Sequence, residues 1–262
     1  MRLLAFLRSH AGEAHSVKGL KRLVEAKKCQ INGRTETFST HPLMRNDLVT
    51  LNCTELPSRQ ALAILFEDTD LIIYNKPPGI VCDEKNFQPN FLVHRIDKET
   101  SGLLIVAKSE WVRDAMIAQF EEKRVKKGYL ALVDGNVARR EGKIVSHLVK
   151  KSEYQGQTIW GSDKYDHGKE AITNWKLVKQ ERGLSLLHCQ PLTGRTHQIR
   201  VHMSEMGFPI LGDYQYAKSF SVQSVPRQML HAAELEFIHP VSCVKIVMTA
   251  PIPADFRALF NC

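Results

Sequence analysis

Leu92-Val93-His94-Arg95-Ile96-Asp97-Lys98-Glu99-Thr100-Ser101-Gly102-Leu103-Leu104 sets a dense polar run between two apolar segments. Flanking residues of strand type make this a loop anchored on both sides by core elements. A carboxylate on such a loop is rigidly placed, which suits catalysis by Asp97. The plainer alternative is a turn Asp whose neighbours Lys98 and Ser101 hydrogen-bond the loop. Outward from this stretch, apolar runs at 61–66, 71–75, 103–107, 129–133, 184–189 and 244–248 read as strands. Ser109 is a suitable cap for a helix over 110–122, where Trp111, Ala115, Met116 and Phe120 recur at helical spacing. Thr196 is placed to cap a second helix running to Met206, with Gly207 as its stop. The pattern predicts an α+β domain over residues 60–262, with a mixed, mainly antiparallel sheet and flanking helices.

Three further segments put charges and glycines where packing alone would not. Tyr74-Asn75-Lys76-Pro77-Pro78-Gly79 is a strand stopped by two prolines; Lys76 reads as structural. Lys126-Lys127-Gly128-Tyr129 opens a strand with Tyr129 just beyond a basic stretch, a position that packing alone also explains. Leu192-Thr193-Gly194-Arg195-Thr196-His197-Gln198-Ile199-Arg200-Val201-His202 is a turn feeding a helix. His197 and His202 are five apart, which is not the spacing of paired metal ligands, and they read as core or surface histidines.

The 262 residues carry 36 Lys+Arg against 28 Asp+Glu, a formal charge of +8. Residues 1–52 hold nine of those bases and four of the acids, so +5 sits on a fifth of the chain. One basic cluster is ordinarily a solvated face, but a whole module biased this way favours a polyanion partner. That module reads as two short helices, 2–9 and 17–26, with Leu20, Leu23 and Val24 on one face, then a hairpin turning at Asn32-Gly33 and a strand over 48–51. Residues 53–59 read as a linker. The six cysteines show no CxxC or CxxH spacing, against a disulfide framework or a zinc site. The longest apolar run, Ala61 to Phe66, is far short of a membrane span, and the run Leu3 to Leu7 is too short for a signal core. The expected compartment is the cytoplasm, and the chain is expected to be a monomer.

Taken together and in order, the four segments resemble the RluA-type pseudouridine synthases over roughly 65–253, with His94-Arg95-Ile96-Asp97 followed by Lys98-Glu99-Thr100-Ser101-Gly102, and the 194–202 segment, as the specific matches. The first fifty residues resemble the alpha-L RNA-binding module first seen in a ribosomal small-subunit protein, through the Leu-rich first helix, the basic second helix, Gln30-Ile31-Asn32-Gly33-Arg34 and Arg45-Asn46-Asp47-Leu48-Val49-Thr50-Leu51. The resemblance to the RluA-type family implies an enzyme that isomerises uridine in RNA to pseudouridine, with no metal or organic cofactor and one aspartate, aligned with Asp97. It implies substrate-binding roles for Arg95, Tyr129 and Arg195: Arg195 pairing with Asp97, Tyr129 against the flipped uracil, Arg95 filling the gap or holding a phosphate. Ribosomal RNA is favoured over transfer RNA because the alpha-L module most often accompanies that substrate. Two departures from the family stand out. Ile96 replaces the more usual leucine, and only fourteen residues, 80–93, join Gly79 to His94. The runner-up is a catalytically inactive RNA-binding or ribosome-assembly factor on the same fold, whose mark would be loss of the aspartate, tyrosine or arginine; all three are present. A nucleoside N-glycosylase would also use a carboxylate at the anomeric carbon, but would normally release free base.

Overall fold

Asn32 and Gly33 both take positive φ, 52° and 77°, the geometry of a two-residue hairpin turn. They join β1 (Cys29–Ile31) to β2 (Arg34–Glu36), and β3 (Val49–Leu51) pairs on the other side of β1, all antiparallel. Before them run α1 (Leu3–His10) and α2 (Val17–Glu25). Leu3, Leu7, Leu20 and Val24 from the helices meet Cys29 and Ile31 from the sheet in a core of their own. The computed structural model describes residues 1–10, 16–25, 28–52, 62–154, 157–165, 167–217, 220, 225 and 227–260. Two compact units divide the chain, Met1–Ala61 with Glu153–Thr158, and Leu62–Ser152 with Ile159–Cys262. The linker expected at 53–59 lies outside the described residues.

The second unit is built on one large sheet. Its elements run β4 (Ala63–Glu67), β5 (Leu71–Lys76), α3 (Glu84–Phe87), β6 (Phe91–Leu92), β7 (Ser101–Ala107), α4 (Glu110–Glu121), β8 (Lys126–Asp134), β9 (Glu141–Tyr154) and β10 (Gln157–Ser162). They continue with β11 (Lys169–Glu181), β12 (Leu184–Pro191), α5 (Gln198–Glu205), β13 (Leu230–Ile238), β14 (Lys245–Thr249) and α6 (Ala254–Leu259). Strand order is β10-β9-β11-β12-β8-β13-β7-β5-β4, with β14 on β13 and β6 on β7. The pair β13 and β7 is parallel and spans two residues, His231 beside Ser101 and Ala232 beside Gly102. Neighbouring pairs in the sheet are antiparallel, giving the mixed, mainly antiparallel sheet expected from the sequence.

That short parallel seam depends on glycine. A Cβ on Gly102 would lie 2.1 Å from the Ala232 carbonyl oxygen, and Gly102 has φ +108°. Only a residue without a side chain allows this approach. All seven residues of β7 are buried, so it runs as a continuous apolar strand covered on both faces. Ser109 caps α4 by accepting from the Val112 N–H, and Val112, Met116 and Gln119 face inward. Gln119 carries the helix onto β13, donating to Ile238 O at 2.8 Å and accepting from Ile238 N at 3.2 Å. No helix among the described residues is long and apolar enough to cross a membrane.

The second helix of the sequence reading begins later than expected. Thr196 is not its cap; α5 starts at Gln198, and the residue before it, His197, is in the left-handed region at φ 57°. The side chain that closes this turn is Gln198, whose Oε1 accepts from Thr193 Oγ1 at 2.6 Å and Arg195 N at 3.0 Å.

Candidate active site

Asp97 lies in the loop between β6 and β7, and main-chain contacts hold that loop from below. Lys76, the last residue of β5, is 0% exposed, and its ammonium donates to the carbonyls of Pro77, Ile80 and Lys98 at 3.0, 3.0 and 3.1 Å. Burial pulls its pKa down to about 8, partly offset by Cys82 and the nearby acids. Gly79 N donates to Lys98 O at 2.7 Å, tying the diproline turn to the same loop. Arg227 and Gln228, just before β13, reach Glu99 O and Thr100 Oγ1. His94 docks the near side: its Nε2 accepts from Ile105 N at 3.0 Å and its ring stacks on Phe120. Burial, then Lys127, pushes the imidazole down to about 3, so it is neutral.

The cation beside Asp97 is Arg200, not Arg195. Arg200 Nη1 donates to Asp97 Oδ2 at 3.2 Å. Its Nε and Nη2 grip both oxygens of the buried Asp213 at 2.6 and 2.8 Å, and Nη2 also donates to Gln215 Oε1. Burial opposes the charge on Arg200, but the attraction of Asp213 outweighs it and holds the guanidinium above its ordinary pKa. The reason for the exchange is the late helix start. Arg200 falls in the first turn of α5, between the buried Ile199 and Val201. Arg195 precedes the left-handed turn, is exposed, and spends its Nε on Glu170 O at 2.9 Å.

His197 completes the surroundings of the carboxylate. Its Nε2 is 3.9 Å from Asp97 Oδ1 and its Nδ1 is 2.8 Å from Tyr216 Oη. Tyr216 Oη accepts from Trp160 N at 3.1 Å, and its ring lies under the Arg200 guanidinium. Burial, reinforced by Arg200, lowers the His197 pKa to about 4. The ring is therefore neutral at physiological pH.

Asp97, 26% exposed at its side chain, opens onto a cleft of about 570 Å³. Tyr129 lines it from β8, paired between Cys189 and Ala232. Burial, and then the charge of Asp97, raises the Tyr129 pKa, so the phenol stays protonated. Arg95 and Arg195 line the same cleft, so Asp97, Tyr129, Arg95 and Arg195 share one site. Arg200, His197 and Asp213 were missed from the sequence. Arg200 left one signal: a charged residue between apolar neighbours in a first helical turn, with an acid thirteen positions on.

Asp68, Asp70 and His239 place ligand-type atoms within 4.8 Å of one another. Their hydrogen bonds do not fit a metal. His239 Nδ1 accepts from the Val241 and Ser242 N–H groups, so the ring proton belongs on Nε2, which lies 3.0 Å from Asp68 Oδ2. Asp68 Oδ1 in turn accepts from the Asp70 and Leu71 N–H groups. The cluster is a clamp between the β4–β5 turn and the end of β13.

The family model for RNA pseudouridylate synthase matches residues 70–205. A Zymomonas mobilis protein named ribosomal large subunit pseudouridine synthase D is 36% identical over 236 residues, covering 78% of this chain and 74% of the relative. A Bacillus subtilis protein named as an uncharacterized RNA pseudouridine synthase is 32% identical over 262 residues, covering 88% and 84%. Among solved structures, human RNA pseudouridylate synthase domain containing 1 superposes with a TM-score of 0.65 at 27% identity, covering 76% of this chain and 87% of that one.

Proposed function

The chain belongs to the RNA pseudouridylate synthase family, and we propose that it isomerises uridines of large-subunit ribosomal RNA with Asp97 as its essential carboxylate. The observation that carries this reading is an aspartate with one oxygen held by a buried arginine and a partly exposed side chain lining an open cleft. The reaction breaks the bond from C1′ to N1 of uracil, turns the base, and joins C1′ to C5. A proton leaves C5 and one is taken up at N1. Atoms and electrons balance without a second substrate, so the chemistry asks only for a carboxylate at the sugar and a place for the base. Arg200 fixes Oδ2 by donating to it from Nη1. Oδ1 is then the atom that attacks C1′ or takes the C2′ proton.

The flipped uracil lies against Tyr129, whose protonated phenol is placed near C5. Arg95, exposed at the cleft with no carboxylate partner among the described residues, fills the gap in the RNA or holds a neighbouring phosphate. Arg195 contacts substrate rather than Asp97. Extruding a base costs a few kcal/mol, which phosphate contacts offset. The first unit serves as an alpha-L-type RNA-binding module, supported by its +5 charge and by Lys21 and Arg22 exposed on α2. The enzyme acts in the cytoplasm, as a monomer, without a metal or organic cofactor.

RNA tritiated at uracil C5 tests the reading. Wild type is expected to release tritium from large-subunit ribosomal RNA, and Asp97→Asn to release none. Absence of release by wild type from any cellular RNA would overturn it. Removing residues 1–52 is expected to weaken RNA binding and to flatten its dependence on salt.

A further inference from the structure

With Arg200 in the place expected for Arg195, the guanidinium of Arg195 is left at the cleft wall with a different neighbour. Lys127, the second residue of β8, donates from Nζ to Thr193 O at 3.0 Å. A Cβ on Gly194 would sit 3.6 Å from that Nζ, so the ammonium lies directly over Gly194, next to Arg195. Arg195 Nε is fixed by Glu170 O. Main-chain carbonyls therefore orient both cations, and among the described residues no carboxylate forms an ion pair with either. Glu170 turns its own carboxylate to Lys123, 3.8 Å away. Burial, and then the charge of Arg195, lowers the pKa of Lys127 to about 8. The two positive groups thus repel each other in a half-buried cleft, and an anion between them relieves both.

We propose that Lys127 and Arg195 form a phosphate subsite that takes one backbone phosphodiester of the RNA beside the target nucleotide. This rests on the reading of the cleft as an RNA uridine isomerase site. Arg195 offers a planar fork to two phosphate oxygens, and Lys127 a point charge with two N–H groups beyond its carbonyl bond. The subsite lies in the same cleft as Asp97 and Tyr129. A bound phosphate there sets where the chain enters and leaves while the base is turned out.

The test uses the full chain and the shortest large-subunit ribosomal RNA fragment from which wild type releases C5 tritium. Single phosphodiesters near the target are replaced in turn by neutral methylphosphonates. The ribose on the 5′ side of each carries 2′-O-methyl to block attack on the neutral linkage, and a 2′-O-methyl phosphodiester serves as control. One replacement is expected to weaken wild-type binding about tenfold, the scale of a charge-assisted contact. That same replacement is expected to cost K127M and R195M little, because both already bind the control about tenfold more weakly and with a salt slope smaller by about one. K127R is expected to keep wild-type affinity. Equal penalties in wild type and both variants, or wild-type affinity of both variants for the control, would overturn the subsite. If free phosphate is the occupant, millimolar inorganic phosphate protects wild type but not R195M from heat while every methylphosphonate is neutral, which also overturns the RNA contact. R195M alters an exposed side chain, so its result stands if K127M fails to fold. Failure of tritium release by wild type from every ribosomal RNA fragment marks failure of the isomerase reading itself and removes the subsite with it.

Discussion

Arg200→Met separates the two jobs of one guanidinium. Asp213 is 2% exposed and places both oxygens on Arg200 at 2.6 and 2.8 Å. Without Arg200 its carboxylate keeps, among the described residues, only a 3.3 Å bond from Gln215 N. Breaking a buried pair by removing one partner costs about 3–5 kcal/mol. In a unit of this size each kcal/mol shifts Tm by roughly 2–4 °C, so a fall of about 6–20 °C is expected. Adding Asp213→Leu removes the stranded charge, and replacing a buried pair by apolar groups is often neutral, so the double variant should recover most of the loss. Asp97 lacks its cation in both, so tritium release should stay absent in both. Urea and thermal unfolding supply the stability and C5 tritium release the activity. Stability of R200M within about 1 kcal/mol of wild type, or wild-type activity in the double variant, would refute the reasoning.

Lys76→Met takes the donor from three carbonyls around the Asp97 loop; a cost of about 2–4 kcal/mol in urea unfolding and a lower kcat are expected, with KM for RNA little changed. Gly102→Ala drives a methyl into the Ala232 carbonyl at a positive φ, and a loss of about 4 kcal/mol or more, or failure to fold, is expected by thermal unfolding. Burial holds His94 at about 3 and His197, His202 and His231 at about 4, all below the ordinary value near 6.5. The unfolded chain therefore binds more protons between those limits, so stability is full above about pH 6.5 and lost as pH falls toward 4, at about 1.4 kcal/mol per pH unit for each histidine. A flat unfolding free energy from pH 6.5 to 4.5 would contradict this.

The Asp97 loop was legible because its polar residues interrupt runs that only a buried strand explains. The helix over 110–121 was legible because its cap and its spacing agree, and the Asn32-Gly33 turn because few other pairs accept two positive φ values. The long strands β9 and β11 were not, since exposed charges such as Lys143, Lys150 and Lys176 leave them without the continuous apolar run that marked the buried strands. The exchange of Arg195 for Arg200 turned on one residue. The left-handed region is uncommon for any residue but glycine, yet His197 adopts it and sets which side chains of α5 face Asp97.

The two-residue seam between β7 and β13 gives the protein a history as well as a shape. Ser101 and His231, bonded across it, are 130 positions apart, and Asp97 and Arg200 are 103 apart. At about 5–20 residues per second of synthesis, roughly 7 to 26 s separate the making of the two edges. During that interval the nascent chain carries Asp97 without its arginine and β7 without its neighbour. A ribosome translating this protein therefore holds a chain with no working site, and competence arrives only after β13 has been made.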